Sequence, residues 1–326
     1  MNFTFLILHY NEIELTDRAV RSILAMDVCD NDKLDIVIVD NCSPNGSGKK
    51  LIELYKVSPL DVRFNQEVFS DNVSQSATIH VILNTENGGF SKGNNVGYSY
   101  IKNNLNADFV IALNNDISFS QKDFVDRLKK IYGNEASRFY LAGPDVYTPN
   151  IRSHISPLDA KCKDEKDVEA RFKFIDDSIA ILEKKFDFAT FTRFLQDKYQ
   201  GTKLLALYNK VRGGEYEGAT PHDKEAYGCV LNGACLIFDK RYVEENDVLF
   251  EEKTFLYAEE DFLTYRLVKQ GKMIRYCPEL IVSHVGQGSA GFGSMNYRAY
   301  CDKNIKTQER TREAFKVYLG YLRDNN

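Results

Sequence analysis

Residues Phe109-Val110-Ile111-Ala112-Leu113-Asn114-Asn115-Asp116-Ile117 decide the fold. Five apolar residues end abruptly in two amides and a carboxylate, as expected of a strand buried on both faces that delivers polar side chains at its carboxyl end. In open α/β sheets ligands gather at that end, which places Asp116 to hold a divalent cation on a phosphate-bearing substrate. The same letters also suit a plain strand-to-turn exit, because Asn and Asp are ordinary turn residues.

Upstream, the pattern repeats three times. Phe3 to Leu8 is a short apolar run ending in His9-Tyr10-Asn11-Glu12, and Leu15, Ala19, Val20, Ile23 and Leu24 then recur at helical spacing. Leu34 to Val39 is a second strand that exits into Asp40-Asn41-Cys42-Ser43, followed by a helix over residues 48–56. Residues 58–77 read as a polar loop, and a third strand, Thr78 to Leu83, runs into Asn84 to Gly97. That stretch is rich in glycine and amides and opens a helix. Its glycines allow close backbone approach, and free N–H groups at a helix start favour an anion such as a diphosphate. A glycine turn with a capped helix explains the same letters. The spacing fits neither GxGxxG nor the GK[ST] of a P-loop. Strands alternating with helices predict a parallel, three-layer α/β domain.

Downstream, Phe124, Leu128 and Ile131 mark a helix, and Phe139 to Tyr147 a strand broken at Gly143-Pro144. From Lys161 to Lys198 apolar residues such as Phe172, Ile175, Ile179 and Leu182 recur at helical steps among Lys, Asp and Glu, so an inserted helical segment is expected, closed by Gly213-Gly214 and Pro221. Cys229 to Phe238 reads as one small-residue strand. Glu259-Glu260-Asp261 opens the next helix between aromatic residues. Acidic side chains favour a helix start, yet three in succession exceed what capping needs, and they are candidates for acid–base work. Met273 to Tyr276 is expected to pair with Leu280 to Ser283, leaving His284 at a strand end before the glycine-rich residues 286–293, where it is a candidate metal ligand. Residues 298–326 form a helix with seven Lys/Arg against four acids, suited to docking on the core and able to touch an anionic membrane surface.

Composition narrows the function classes. With 326 residues, 43% of them apolar, the chain can bury one large core or two modest ones, and a net charge of -5 leaves no basic surface for nucleic acid. The seven cysteines are scattered and never spaced as CxxC, which suits reduced thiols in a cytoplasmic protein rather than a disulfide framework or structural zinc. Met1 to Tyr10 lack a basic region and meet Glu12 before any cleavage pattern, so no secretory signal is expected. No apolar run approaches the ~20 residues of a membrane span.

The ordered motifs Asp40-Asn41-x-Ser43, Asn87-x-Gly89-Phe90-x-x-Gly93-Asn94-x-x-Gly97, Leu113-Asn114-Asn115-Asp116, Asn232-Gly233-Ala234, Tyr257-x-Glu259-Glu260-Asp261 and His284 resemble the family 2 inverting glycosyltransferases, above all the rhamnosyltransferase-like and capsule or O-antigen members. The resemblance covers residues 3 to about 150 and about 227 to 290. It implies a GT-A fold, a three-layer α/β/α domain with a mostly parallel sheet. Residues 1–150 would be the nucleotide-sugar-binding half, 151–226 a helical insertion, 227–297 the acceptor-side and catalytic half, and 298–326 a helical tail. It also implies a nucleotide-diphosphate-sugar donor, Mg²⁺ or Mn²⁺, and a saccharide or lipid-linked saccharide acceptor in bacterial surface polysaccharide assembly.

Carried over by position, Tyr10, Asn11 and Glu12 would hold the base and ribose, with Asp40 on the base. Asn87, Gly89, Phe90 and Asn94 would shape the donor site, and Lys92 lies where it could approach the diphosphate. Asp116 matches the last residue of the family's DxD motif and Asn114 the first, with Asn115 between, so one negative ligand is missing. His284 matches a metal-binding histidine. Glu260 falls on the usual catalytic aspartate, with Glu259 and Asp261 as neighbouring candidates for the base. A sugar nucleotidyltransferase and a non-catalytic scaffold of the same fold are the alternatives.

Overall fold

A computed structural model describes residues 1–74, 77–135, 138–149, 152–199, 222–285 and 295–325. The chain forms β1 (Asn2–His9), α1 (Ile13–Leu24), β2 (Lys33–Asp40), α2 (Ser47–Tyr55), β3 (Ser58–Pro59), β4 (Glu67–Asn72), β5 (Ala77–Leu83), α3 (Gly89–Asn104), β6 (Phe109–Asn114), β7 (Ile117–Ser118) and α4 (Phe124–Gly133). It continues with β8 (Leu141–Thr148), β9 (Ser153–His154), α5 (Glu165–Leu182), α6 (Phe188–Lys198), β10 (Ala226–Tyr227), β11 (Cys235–Asp239), α7 (Lys240–Glu245), α8 (Glu259–Lys269), β12 (Ile274–His284) and α9 (Tyr297–Asn325).

Alternating side chains separate two cores on the two faces of one sheet. Phe3, Phe5, Ile7, Ile36, Ile38, Ile111 and Leu113 pack under Val20 and Ile23 of α1, Leu51 of α2 and Phe124 of α4. Leu6, Val37, Val39, Val110 and Ala112 face the other way, against Tyr98 and Ile101 of α3, Tyr242 of α7 and Leu263 of α8. A strand with apolar residues at both parities has to be covered on both sides. The result is the expected three-layer α/β/α arrangement. The strand order is β10-β12-β8-β11-β6-β1-β2-β5-β4-β3. The pairs β1–β2, β1–β6, β2–β5 and β8–β12 are parallel, and β11 runs antiparallel between β6 and β8.

Four local expectations are corrected. Residues 58–77 contain β3 and β4, with β4 antiparallel to β5. A strand next to the sheet edge needs few apolar positions: Val68 is buried while Glu67, Asp71 and Asn72 stay exposed, so periodicity gives little signal. Gly143-Pro144 does not break β8, because β11 pairs with it only at Leu141 and Ala142 and makes no claim on the N–H that Pro144 lacks. The strand expected over Cys229–Phe238 is only β11. The Asn232 side-chain oxygen accepts the Ala234 N–H at 2.9 Å, turning the chain just before it. Met273–Tyr276 and Leu280–Ser283 are not a hairpin; they are one strand, β12, interrupted by a bulge between Cys277 and Ile281 where Pro278 sits.

The helical segment forms α5 and α6, each begun by an aspartate that accepts a backbone N–H three residues on. Gly213-Gly214, Pro221 and the glycine-rich residues 286–293 lie outside the described residues. Helix α9 docks as expected. Its Ala314, Phe315, Tyr318 and Leu322 pack with Val168 of α5 and with Phe262 and Tyr265 of α8.

Candidate active site

The parallel register brings the strand ends level, with His9 beside Asp40, Asp40 beside Leu83, and Leu8 beside Asn114. His9 is fully buried between Thr16 Oγ1 at 2.6 Å and Ser47 Oγ at 2.8 Å, and burial lowers its pKa to about 4. At neutral pH it is an uncharged tie between β1 and the starts of α1 and α2. Asp40 accepts the N–H and O–H of Ser43, while burial raises its pKa. A side chain at Gly48 would place its first carbon 2.2 Å from the Asp40 carboxylate, so this carboxylate fits only beside glycine. Asn11 and Cys42, just past the two strands, have φ of 66° and 58°. Left-handed backbone at non-glycine residues is uncommon and often marks ligand sites. Tyr10 and Glu12 are exposed at this rim, and Asn11 keeps a buried Oδ1 without a partner.

Asn41 fastens the next loop. Its amide donates to Asn87 Oδ1 and to the Gly89 carbonyl, both at 3.0 Å, and its oxygen accepts from Asn84 at 3.3 Å. Gly89 has φ +83°, and a side chain there would begin 2.1 Å from the Phe255 carbonyl. The same carbonyl accepts the Phe90 N–H at 3.0 Å, joining this loop to the chain that leads into α8. Asn94 donates to the Phe90 carbonyl at 3.0 Å. Asn87, Gly89, Phe90 and Asn94 therefore set the loop's shape through neutral contacts. Lys92 is exposed and lines a 450 Å³ cleft with Asn84, Glu86 and Glu252 on the flank of α3.

Asp116 and His284, distant in sequence, are brought together. Strand β7 pairs antiparallel with the end of β12, setting Ile117 opposite His284, and the Val285 N–H donates to the Asp116 carbonyl at 3.0 Å. His284 Nε2 then lies 3.3 Å from Asp116 Oδ2. Asp116 Oδ1 and His284 Nδ1 are buried and lack a hydrogen-bond partner. One carboxylate and one imidazole with unused ligand atoms fit Mn²⁺ well and Mg²⁺ less well, since magnesium favours oxygen. Asn114 and Asn115 are half-buried beside them, with Asn115 donating to Thr16 Oγ1 at 3.3 Å. A second acidic group, Cys29, Asp32 and Asp126, already surrounds the Lys129 ammonium, 2.7 Å from Asp126.

The three carboxylates at the start of α8 follow Tyr257 and Ala258, whose φ values are 74° and 64°. Two successive left-handed residues turn the chain sharply, and each residue of the triplet meets different surroundings. Glu259 is 7% exposed, its Oε2 has no partner, and burial aided by the Glu260 charge raises its pKa to about 9. Asp261 is 4% exposed and takes the Lys163 ammonium at 2.6 Å; burial raises its pKa against that opposing charge. Glu260 is half-buried and accepts the Gly233 N–H at 3.1 Å. Burial raises its pKa to about 6, restrained by backbone N–H groups. A side chain at Gly233 would begin 2.6 Å from Glu260 Oε1, so a substitution there would displace this carboxylate. The Ala234 carbonyl accepts the Asn114 N–H at 3.0 Å, so a single turn joins Glu260 to the strand that carries Asp116.

Fold and site together define an α/β protein with amide side chains gathered at the carboxyl edge of a parallel sheet, a carboxylate–imidazole pair and a carboxylate poised near neutrality. Residues 4–154, a little under half of the chain, match Glycosyl transferase family 2. No curated protein matches the chain. Among solved structures it is similar to S. aureus TarS 1-349 in complex with UDP-GlcNAc, at 12% identity over 94% of this chain and 66% of that one, TM-score 0.49. It is also similar to the mannosyltransferase PcManGT from Pyrobaculum calidifontis in complex with GDP-Man and Mn²⁺, at 12% identity over 97% of this chain and 69% of that one, TM-score 0.48. Against a further structure of S. aureus TarS 1-349 the identity is 12%, the chain spans 60% of that chain's length with 87% of its own, and the TM-score is 0.47.

Sequence reasoning passed over Asn41, Gly233 and Lys163 as site residues. Asn41 and Gly233 lie inside motifs whose neighbours drew attention. Lys163 stands in a charged run with no local signal, and only the fold brings it to Asp261.

Proposed function

We propose that the chain is an inverting glycosyltransferase of the rhamnosyltransferase-like, capsule or O-antigen type. It moves a sugar from a nucleotide-diphosphate sugar to a hydroxyl of a saccharide or lipid-linked saccharide in bacterial surface polysaccharide assembly. The observation that carries this reading is the Asn232–Ala234 turn, which holds Glu260 through the Gly233 N–H and the Asn114 backbone through the Ala234 carbonyl. The proposed proton acceptor and the strand end proposed to face the phosphates are thus held by one turn.

In the proposed reaction Glu260 removes the proton from the acceptor hydroxyl as its oxygen attacks the anomeric carbon. The new C–O bond forms on the face opposite the breaking one, and the nucleoside diphosphate leaves with the bonding electrons. Glu259, neutral at pH 7, adds no repulsion, and Asp261 is occupied by Lys163. A divalent cation bound by Asp116 and His284 would offset charge on the departing diphosphate as a Lewis acid. Tyr10, Asn11, Glu12 and Asp40 would border the base and ribose, while Asn87 to Asn94 with Asn114 and Asn115 would border the diphosphate and sugar. Residues 1–150 would then serve the donor and 227–297 the acceptor, with 151–226 inserted and 298–326 as a tail. Among the described residues no helix is long and apolar enough to cross a membrane. A cytoplasmic protein that touches the membrane surface through basic residues of α9 fits the proposed acceptor.

A thermal-shift screen with UDP-, dTDP- and GDP-sugars, with and without Mn²⁺, tests the donor site, because a bound ligand raises the melting temperature by mass action. One nucleotide series should stabilise the protein, more with Mn²⁺ than without, and Asp116→Ala should remove the Mn²⁺ increment. Equal melting temperatures across all series would refute the donor site.

A further inference from the structure

The ammonium of Lys163 joins two pieces of chain that between them hold Glu260. One is the first turn of α8, where Asp261 accepts from Lys163 Nζ at 2.6 Å. The other is Asp159, whose carboxylate lies 2.5 Å from the same nitrogen. Asp159 forms a bridge with Val230, the Val230 N–H donating to the Asp159 carbonyl at 2.9 Å. Three residues beyond Val230 is Gly233, the residue that donates to Glu260. Lys163 is well placed to act as a fixed point: its side chain is 15% exposed, its ammonium lies 5.7 Å from the centre of the Phe315 ring, and its carbonyl accepts from the Tyr318 hydroxyl at 3.2 Å. The insertion and the carboxyl-terminal helix thus both brace one cation against the catalytic turn.

We propose that Lys163 is a positioning residue for the general base. By clamping Asp261 to Asp159 it sets the spacing between the first turn of α8 and the 230–234 turn, and so fixes the Glu260–Gly233 contact. The inference rests on reading Glu260 as the base. The charged and titratable groups around the clamp are Asp159, Asp261, Glu260, Arg171, Cys162 and Tyr318. Asp159, with 44% of its side chain in solvent, and Arg171 are the exposed members, while Lys163 is the cation in direct contact with the buried Asp261 carboxylate.

The experiment is steady-state sugar transfer, or donor hydrolysis where no acceptor is supplied, with nucleotide affinity measured separately by calorimetry. Lys163→Met should lower kcat by about tenfold or more, the size of loss that follows from misplacing a catalytic group by a fraction of an ångström to an ångström. Donor KM and nucleotide affinity should stay within about twofold of wild type, because the clamp touches the base and not the donor site. Lys163→Arg should recover most of the loss, since a guanidinium keeps the charge and can bridge two carboxylates. If Lys163→Met does not fold, Asp159→Asn opens the exposed end of the clamp and should lower kcat in the same way. Wild-type kcat in the variant that folds, or a loss of donor affinity equal to the loss of kcat, overturns the clamp. Glu260→Gln measured alongside keeps the two claims apart: a silent Glu260→Gln with a fully active Lys163→Met removes only the clamp, whereas an active Glu260→Gln removes the base assignment itself.

Discussion

The loop after β5 and the start of α8 are joined through the Phe255 carbonyl and are built by opposite means. Around Asn87–Asn94 every fixing contact is neutral: side-chain amides bond to one another and to carbonyls, and glycine brings the backbone against the Phe255 carbonyl. Around Glu259–Asp261 three ionisable groups follow a strained turn, one without a partner on Oε2, one held by a backbone N–H and one by an ammonium. Neutral, fully satisfied contacts give a shape that does not change with pH. Buried carboxylates with different partners give three adjacent residues unequal proton affinities. One side is suited to hold a ligand and the other to move a proton.

The comparison breaks most severely at Gly89. Gly89→Ala puts a methyl into left-handed backbone and against the main chain of Phe255, which cannot rotate away as a side chain could. A stability loss of roughly 3 kcal/mol or more is expected, together with loss of nucleotide binding, read by denaturant unfolding and calorimetry. A near-wild-type Gly89→Ala would mean that this loop is not rigid.

A smaller effect sharpens the other side. The pKa of Glu259 is raised from the ordinary 4.5 to about 9 in the folded protein, so the unfolded chain releases this proton first. Its contribution to stability is therefore full below pH 4.5 and declines as pH rises toward about 9. Glu259→Gln removes that decline. The variant should melt roughly 2–4 °C above wild type near pH 8.5 and show no gain near pH 4.5, as followed by calorimetric scans. A gain that does not depend on pH would show that Glu259 is not held protonated.

Much of this division could be read from the sequence, and the rest has physical reasons for being hidden. The four central strands announce themselves because parallel strands covered on both faces are continuous apolar runs, as in Phe3–Leu8 and Phe109–Leu113. Strand β4 escapes because it lies next to the sheet edge, covered only by the two-residue β3, with one buried position, Val68. Strand β12 looks like two elements because Pro278 and Glu279 sit in a bulge across which the register shifts while both halves stay paired with β8. Asp116 and His284 draw notice singly, each after an apolar run; their contact depends on β7 pairing with β12, which two residues of strand cannot signal. The three acids at 259–261 are conspicuous in the sequence. Their unequal protonation is not, because it comes from Gly233, Lys163 and an unpartnered Oε2, all set by tertiary packing.

The central claim is that Glu260 is the proton acceptor, and the pH dependence of kcat/KM tests it most directly. With Glu260 near pKa 6, turnover should be level above neutrality and fall about tenfold for each unit below pH 6, and Glu260→Gln should lose about 10²–10⁴-fold while still binding nucleotide. A profile that stays flat to pH 5, or a Glu260→Gln protein that still turns over at the wild-type rate, would contradict the account.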